Sequence, residues 1–316
     1  MSLKYPWLES TWKSWQSRLE NGRVPNAILV DSLNGYGADH LVELFSNATM
    51  CQNYESEACG FCHSCLLMQS GTHPDTHLVS PEKDKKSISV DQIRLANRWA
   101  QESSQLGGKR IIVINPAETM NEAAANALLK ALEEAASSCI FVLLSSAPHK
   151  LLKTILSRCQ RWSLEACDIG ASLSWLQSQT DAQVSSEILK LSYGAPLNAL
   201  TMINEGSIEA YKALSDTFIE FISNGSWDTA AIASLLKDNS QQQLEWLWLL
   251  LSDTQKVHFG LQNESLLTGA NELAKHLDYQ LAYKQTEKLR TMINQLEQFP
   301  GLNLELLLTD WLLGFK

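Results

Sequence analysis

Four short apolar runs, separated by segments with helical spacing, constrain the first half of this 316-residue chain more than any other feature. Ala27–Val30, His77–Val79, Arg110–Ile114 and Ile140–Leu144 are each bounded by polar residues, Pro or Gly. A continuous apolar run of this length fits a strand covered on both faces, as in a parallel sheet. Between these runs, Asp39–Cys51, Val90–Ser103 and Asn121–Ala136 repeat apolar residues every three or four positions, and Asn121 is placed to cap the last. Strand, helix, strand alternation implies an α/β fold, a parallel sheet with helices on both faces. Near residue 165 the pattern changes. Short helical stretches surround Tyr193-Gly-Ala-Pro196 within 166–206, and five helical segments follow in 207–316: Ile208–Asn224, Thr229–Lys237, Gln241–Phe259, Asn271–Phe299 and Leu302–Phe315. In the third of these, Leu244, Trp246–Leu251 and Val257 cover much of the circumference, which places it at the centre of a bundle. The expected organisation is an α/β domain over 1–165, a small helical domain over 166–206 and a helical bundle over 207–316.

Cys51, Cys59, Cys62 and Cys65 form the pattern C-x7-C-x2-C-x2-C inside the first domain. The spacing lets four thiolates close a tetrahedron around Zn2+, and Gly60 permits the tight backbone of a metal knuckle. Four sulfur ligands leave no open position for water, so the metal is expected to be structural. His63 would be a fifth ligand and is left out. Cys139, Cys159 and Cys167 are scattered and read as core residues. His73-Pro-Asp75-Thr-His77 supplies no third or fourth metal partner and reads as a polar turn before a strand.

The segment after Ala27–Val30, Asp31-Ser-Leu-Asn-Gly35-Tyr-Gly37-Ala-Asp39, lies where a phosphate-binding loop would sit. Aligned on Gly37, Ala38 replaces the lysine and Asp39 replaces the hydroxyl that holds Mg2+. Asp39 would repel a phosphate. Taken alone, the segment reads equally as a glycine-containing turn. A second defect follows Arg110–Ile114, where Asn115 and Pro116 stand in place of the acidic pair that holds Mg2+ and polarises water. Two independent losses imply a retained frame with an abandoned hydrolytic site.

With 35 Asp plus Glu against 25 Lys plus Arg, the net charge of -10 argues against a chain that binds nucleic acid or anionic membrane over its whole surface. The densest apolar run, Trp246–Leu251, is far shorter than the roughly 20 residues of a membrane span. No secretory leader pattern opens the sequence, so a cytoplasmic protein is expected.

Over residues 1 to about 200 the chain resembles the delta-prime clamp-loader family of bacterial DNA polymerase III, within the AAA+ superfamily. The carriers are Arg23-Val-Pro-Asn-Ala27, the defective loop at Gly35 and Gly37, the four cysteines, Ile88–Arg94, Ala123–Glu134 and Ser157-Arg158-Cys159. The resemblance implies an AAA+ module, a helical lid and a collar, in a pentameric ring that opens a sliding clamp with ATP and places it on primed DNA. It implies ATPase subunits and a delta-type subunit as partners, and no bound membrane. Carried onto this sequence, Arg158 is an arginine finger acting in trans on a neighbour's ATP site, with Ser157 and Cys159 positioning its loop. Leu197 stands where ATP-using members place a nucleotide-sensing arginine, and Asn26 replaces the usual histidine before the first strand. Ser145 and Ser146 fall at the polar position after the fourth strand. No ATP is expected on this subunit and no intrinsic activity, polymerase chemistry being a property of the holoenzyme. Two other readings stand beside this one: an active ATPase with a divergent site, and a zinc-dependent DNA-binding module. Glu55 and Glu57, with no Lys or Arg between the first and last cysteine, weigh against the second.

Overall fold

The computed structural model describes residues 4–134, 138–164, 167–224, 229–236, 240–261, 266–299 and 301–315. It divides into two compact units, residues 1–172 and 173–316. The boundary expected at 165–166, the last two residues of the helix expected to reach Ala136, and Lys237 lie outside the described residues.

The first unit runs α1 (Glu9–Glu20), β1 (Ala27–Asp31), α2 (Ala38–Met50), α3 (His63–Gln69), β2 (Thr76–Val79), α4 (Val90–Gln101), β3 (Arg110–Ile114), α5 (Glu122–Glu134), β4 (Cys139–Ser145), α6 (Lys153–Leu156) and β5 (Gln160–Ser163). The five strands are parallel, in the order β2-β3-β4-β1-β5. Successive side chains of a strand point to opposite faces, and the two cores divide accordingly. Leu29, Ile112, Ile114, Phe141 and Leu143 pack with Ile93 and Ala96 of α4 and Ala124 and Leu128 of α5. Ile28, Val30, Ile111, Val142 and Leu144 pack on the other side with Trp12 and Trp15 of α1 and Leu41 and Phe45 of α2. The expected α/β architecture, parallel sheet with helices on both faces, is therefore present.

The local chemistry explains the helix starts. Ser89 and Gln92 form a reciprocal capping box at α4. The expected Asn121 cap is present: its Oδ1 accepts the Ala124 amide at 2.8 Å. Four elements of this unit, α1, α3, α6 and β5, were not among the sequence expectations. β5 has one buried residue, Trp162, between exposed neighbours, so it carries no alternation long enough to read.

The second unit contains α7 from Leu173 onward (Ile169–Gln179 in full), α8 (Ser186–Leu191), α9 (Pro196–Asn204), α10 (Ser207–Asn224), α11 (Thr229–Leu235), α12 (Ser240–His258), α13 (Ala270–His276), α14 (Tyr279–Gln298) and α15 (Leu304–Leu313). Leu244, Trp246, Leu247, Leu250 and Leu251 of α12 are buried, in keeping with a central helix. The single helix expected over Asn271–Phe299 is two, because Asp278 leaves helical geometry and caps α14 by accepting the Leu281 amide at 2.9 Å. Leu176, Ile188 and Ala199, in α7, α8 and α9, share one apolar cluster with the helices that follow. A buried ionic contact adds to this: the Asp253 carboxylate of α12 accepts from Lys190 of α8 at 2.5 Å, Lys256 at 2.9 Å and the Leu267 amide at 2.8 Å.

Candidate functional site

The loop after β1 ends at Gly37, which caps α2 with a φ of 84°. Both properties of glycine are needed there. The left-handed backbone favours it, and a Cβ would stand 3.0 Å from the Tyr5 ring, since the N-terminal segment packs over the loop. Trp7 Nε1 fixes that packing by donating to the Tyr36 carbonyl at 2.9 Å. Asp39 lies in the first turn of α2, and Asn115 follows the end of β3, so the sheet brings the two substituted positions together. Asn115 Nδ2 donates to Asp39 Oδ1 at 2.7 Å. The two positions at which the sequence motif would place Mg2+ ligands are thus hydrogen-bonded to each other. Ala38 begins α2 beside them with no cation to offer.

Ser146, after β4, donates its amide at 3.1 Å and its hydroxyl at 2.7 Å to Glu118 Oε1. Burial works to raise the Glu118 carboxyl, but these hydrogen bonds hold it below the usual range. Glu118 was not a sequence candidate. Nothing but its place three residues after Asn115 could have marked it. Asn26 uses its carbonyl to accept the Phe141 amide at 2.7 Å, as part of the sheet. Leu197 lies in the first turn of α9, in the second unit.

Ser157-Arg158-Cys159 forms the turn from α6 into β5. Ser157 Oγ donates to the Thr154 carbonyl at 3.0 Å, and the Arg158 and Cys159 amides both donate to the Ile155 carbonyl, so the turn is held by α6 itself. Burial pushes the Cys159 thiol up to about 11, which suits a packing residue. Arg158 Nε donates to Glu133 Oε1 at 2.7 Å and Nη1 to the Thr154 carbonyl at 2.9 Å. The arginine is exposed overall, and this pairing is its contact in the single chain.

The four cysteines converge. Their Sγ atoms all lie within 4.8 Å of one another, with Cys59 and Cys65 sulfurs 3.9 Å apart. Zn–S bonds of about 2.3 Å in a tetrahedron separate sulfurs by about 3.8 Å, so the donor set can hold a metal ion and fits zinc. Gly60 adopts a φ of 79° inside the knuckle. The amides of Cys59, Cys62 and Cys65 donate to the sulfurs of Cys51, Cys59 and Cys62 at 3.3 to 3.4 Å. Desolvation opposes ionisation of Cys59, yet amide donors from Phe61 and Cys62 lower it to about 6. Burial pushes the Cys65 thiol up to about 12. His63 is exposed and outside the cluster.

A polar chain leads inward from the knuckle. Ser64 Oγ spends its one hydrogen on the Met50 carbonyl at 2.6 Å, so it accepts from His73 Nε2 at 2.8 Å. That leaves His73 Nδ1 to accept the Asp75 amide at 3.1 Å. The tautomer is thereby assigned, and burial, which lowers the His73 pKa, agrees with a neutral ring. The fully buried Asp75 carboxylate in turn accepts from Arg110 at 2.8 Å, Ser104 at 3.0 Å and the Gln105 and Leu106 amides. The residues read as a simple polar turn are thus part of the unit's buried polar frame.

Comparison with known proteins follows the same division of the chain. Residues 7–168 match the family model described as "DNA polymerase III, delta subunit", and residues 205–316 match "DNA polymerase III, delta subunit, C terminal". The chain is 33% identical to DNA polymerase III subunit delta' of Escherichia coli over 99% of its length and 95% of that protein. The Yersinia pestis protein of the same name is 35% identical over 99% and 95%, and that of Haemophilus influenzae 32% over 99% and 97%. A solved gamma subunit-related protein of DNA polymerase III from Thermotoga maritima has a TM-score of 0.48 and 16% identity, covering 96% of this chain and 98% of that one.

Proposed function

The chain belongs to the DNA polymerase III delta-prime subunit family, and we propose that within a clamp loader it hydrolyses no nucleotide itself and supplies Arg158 in trans to a neighbouring ATPase subunit. The observation that carries this reading is the Asn115–Asp39 hydrogen bond, which fills the Mg2+ position with two residues that satisfy each other. A metal-bound triphosphate would have to break that bond and accept a carboxylate beside its phosphates. Arg158 supports the second half. It is an exposed guanidinium on a turn fixed by α6, and a finger of this kind stabilises charge developing on the γ-phosphate. Ser157 acts through the turn it caps and Cys159 through packing.

The partners in this reading are ATPase subunits and a delta-type subunit of a pentameric ring, which opens a sliding clamp and places it on primed DNA during replication. Polymerase chemistry belongs to the holoenzyme. Residues 166–206 act as the lid and 207–316 as the collar that holds the ring. Cys51, Cys59, Cys62 and Cys65 hold a structural Zn2+, and the protein works in the cytoplasm. Among the described residues no helix is long and apolar enough to cross a membrane.

The test is DNA-stimulated ATP turnover of the reconstituted loader with wild-type or Arg158→Ala subunit, ring assembly being checked in parallel. A finger is worth roughly 10^3 to 10^5 in the best-studied GTPases. With the ring's ATP sites acting in concert on DNA, loss of one finger stalls the cycle, and a drop of about tenfold or more with intact assembly is the expected result. Unchanged turnover would remove the finger, and hydrolysis by the isolated chain would remove the non-hydrolysing assignment.

A further inference from the structure

Arg158 is anchored before any neighbour arrives. Its Nε and one Nη2 hydrogen go to Glu133 Oε1, and one Nη1 hydrogen goes to the Thr154 carbonyl. A guanidinium carries five N–H donors. Three are used among the described residues, which leaves one on each terminal nitrogen. Two such donors, one per terminal nitrogen, make the fork that grips phosphate or carboxylate oxygens bidentately. Glu133 lies in the last turn of α5 and Thr154 in α6, so two separate elements of the α/β unit fix the side of the guanidinium. A third of the Arg158 side chain remains exposed.

We infer that Glu133 is a positioning residue for the arginine finger: it holds Arg158 by its Nε edge and leaves the terminal donors free for the γ-phosphate of a neighbour's ATP. Two effects compete. The carboxylate subtracts from the positive charge offered to the phosphate, while the anchor removes rotamer freedom that an exposed arginine would otherwise lose on engagement. The pair is solvent-exposed, so its charge effect is screened. Misplacing a reacting group by 1 Å costs about a hundredfold, and geometry therefore dominates. The inference rests on Arg158 being the finger.

The experiment is ATP turnover of the reconstituted loader on primed DNA with Glu133→Ala, Glu133→Gln, Arg158→Ala and the Glu133→Ala/Arg158→Ala double variant, each checked for ring assembly. Glu133→Ala is expected to lower kcat about tenfold or more with a smaller change in the KM for ATP. Glu133→Gln, whose amide oxygen still accepts from Nε, recovers part of the loss. The double variant matches Arg158→Ala, because Glu133 acts only through the arginine. Unchanged or raised turnover in Glu133→Ala, alongside a loss in Arg158→Ala, overturns the positioning role and leaves the finger standing. A further loss in the double variant also overturns it, since Glu133 would then act elsewhere. No loss in Arg158→Ala removes the finger and this inference together. Should Glu133→Ala fail to assemble, Arg158→Lys carries the test, since lysine cannot form an anchored fork: a loss of kcat is expected, and full wild-type kcat with a normal KM for ATP would overturn the positioning role.

Discussion

Replacing Asp39 tests directly whether the loop excludes nucleotide by chemistry or only by shape. Its carboxylate sits in the first turn of α2, bonded to Asn115, where a Mg2+-bound β- or γ-phosphate oxygen would approach. Two unit charges about 4 Å apart repel by about 1 kcal/mol in water and about 4 kcal/mol at an effective dielectric of 20. Asp39 is exposed in the single chain, but a bound triphosphate would displace the water around it, so the relevant value lies between these limits. At 1.4 kcal/mol per power of ten, the repulsion corresponds to roughly a fivefold to several-hundredfold loss of affinity. Because the wild-type loop lacks its lysine, the effect is best read from a pair of variants. Ala38→Lys supplies the missing cation and leaves the carboxylate, whereas Ala38→Lys/Asp39→Thr also restores the hydroxyl. Titration of each isolated chain with a fluorescent ATP analogue and Mg2+ is expected to give at least tenfold tighter binding for the second. Equal affinities would show that Asp39 contributes no exclusion, and tight Mg2+-dependent binding by the wild type would sink the reasoning outright.

Two further outcomes concern stability. Cys62→Ala is expected to lose bound zinc and to lower the thermal midpoint of the first unit. The effect on metal affinity should exceed the ~10- to 100-fold typical of an outer-shell partner; metal analysis showing an unchanged zinc content would refute the ligand set. Asp75→Asn takes from the buried Arg110 charge its buried counter-ion and leaves it the exposed Glu102 at 3.4 Å, which costs about 3 kcal/mol near neutral pH. Burial alone would raise the Asp75 carboxyl, but the Arg110 contact and amide donors bring it to about 2, below its unfolded value. Its contribution is therefore complete above the unfolded carboxylate range and lost as pH falls from about 5 toward 2. Urea unfolding of wild type and Asp75→Asn across that window should show their difference shrinking by roughly 2 kcal/mol; a pH-independent difference would mean that Asp75 is not ionised in the folded protein.

What could be read from the sequence was whatever depends on near neighbours. The runs that became β1, β3 and β4 fill positions on two cores at once, whereas β2, at the sheet edge, buries Val79 and leaves Leu78 exposed; the strand ends shifted by no more than a residue. The cysteine knuckle was legible because all its ligands lie within one short loop. The helix α1 escaped notice because Trp12, Trp15 and Leu19, spaced as one buried face, are interleaved with charges and a further aromatic stretch. The break at Asp278 was hidden by helix-forming residues on both sides. The pairs that shape the site join distant segments: Glu118 with Ser146, Glu133 with Arg158, Asn115 with Asp39 and Asp75 with Arg110 lie 28, 25, 76 and 35 positions apart. Residue identity marked Arg158, Asn115 and Asp39 as candidates, but only the sheet order, which sets β1 and β3 on either side of β4, brings Asn115 to Asp39.

The same contacts bear on what the cysteine knuckle does for the fold. Its four cysteines would close a metal completely, and Glu55 and Glu57 suit neither phosphate nor DNA. Inward from it, however, Ser64 sits between two ligands and is tied through His73 and Asp75 to Arg110, the first residue of β3. Each link fixes the next: the Ser64 hydrogen goes to Met50, that choice sets the His73 tautomer, and the tautomer leaves Nδ1 free to accept the Asp75 amide. A partly satisfied buried chain of this kind costs more than an apolar replacement, so its completeness depends on the knuckle holding Ser64 in place. Just past the other end of β3, the Asn115 amide donates to the Val79 carbonyl of β2 at 2.9 Å, and its side chain donates to Asp39. Through the polar chain the cysteine knuckle fastens the start of β3, beside the β2 edge of the sheet.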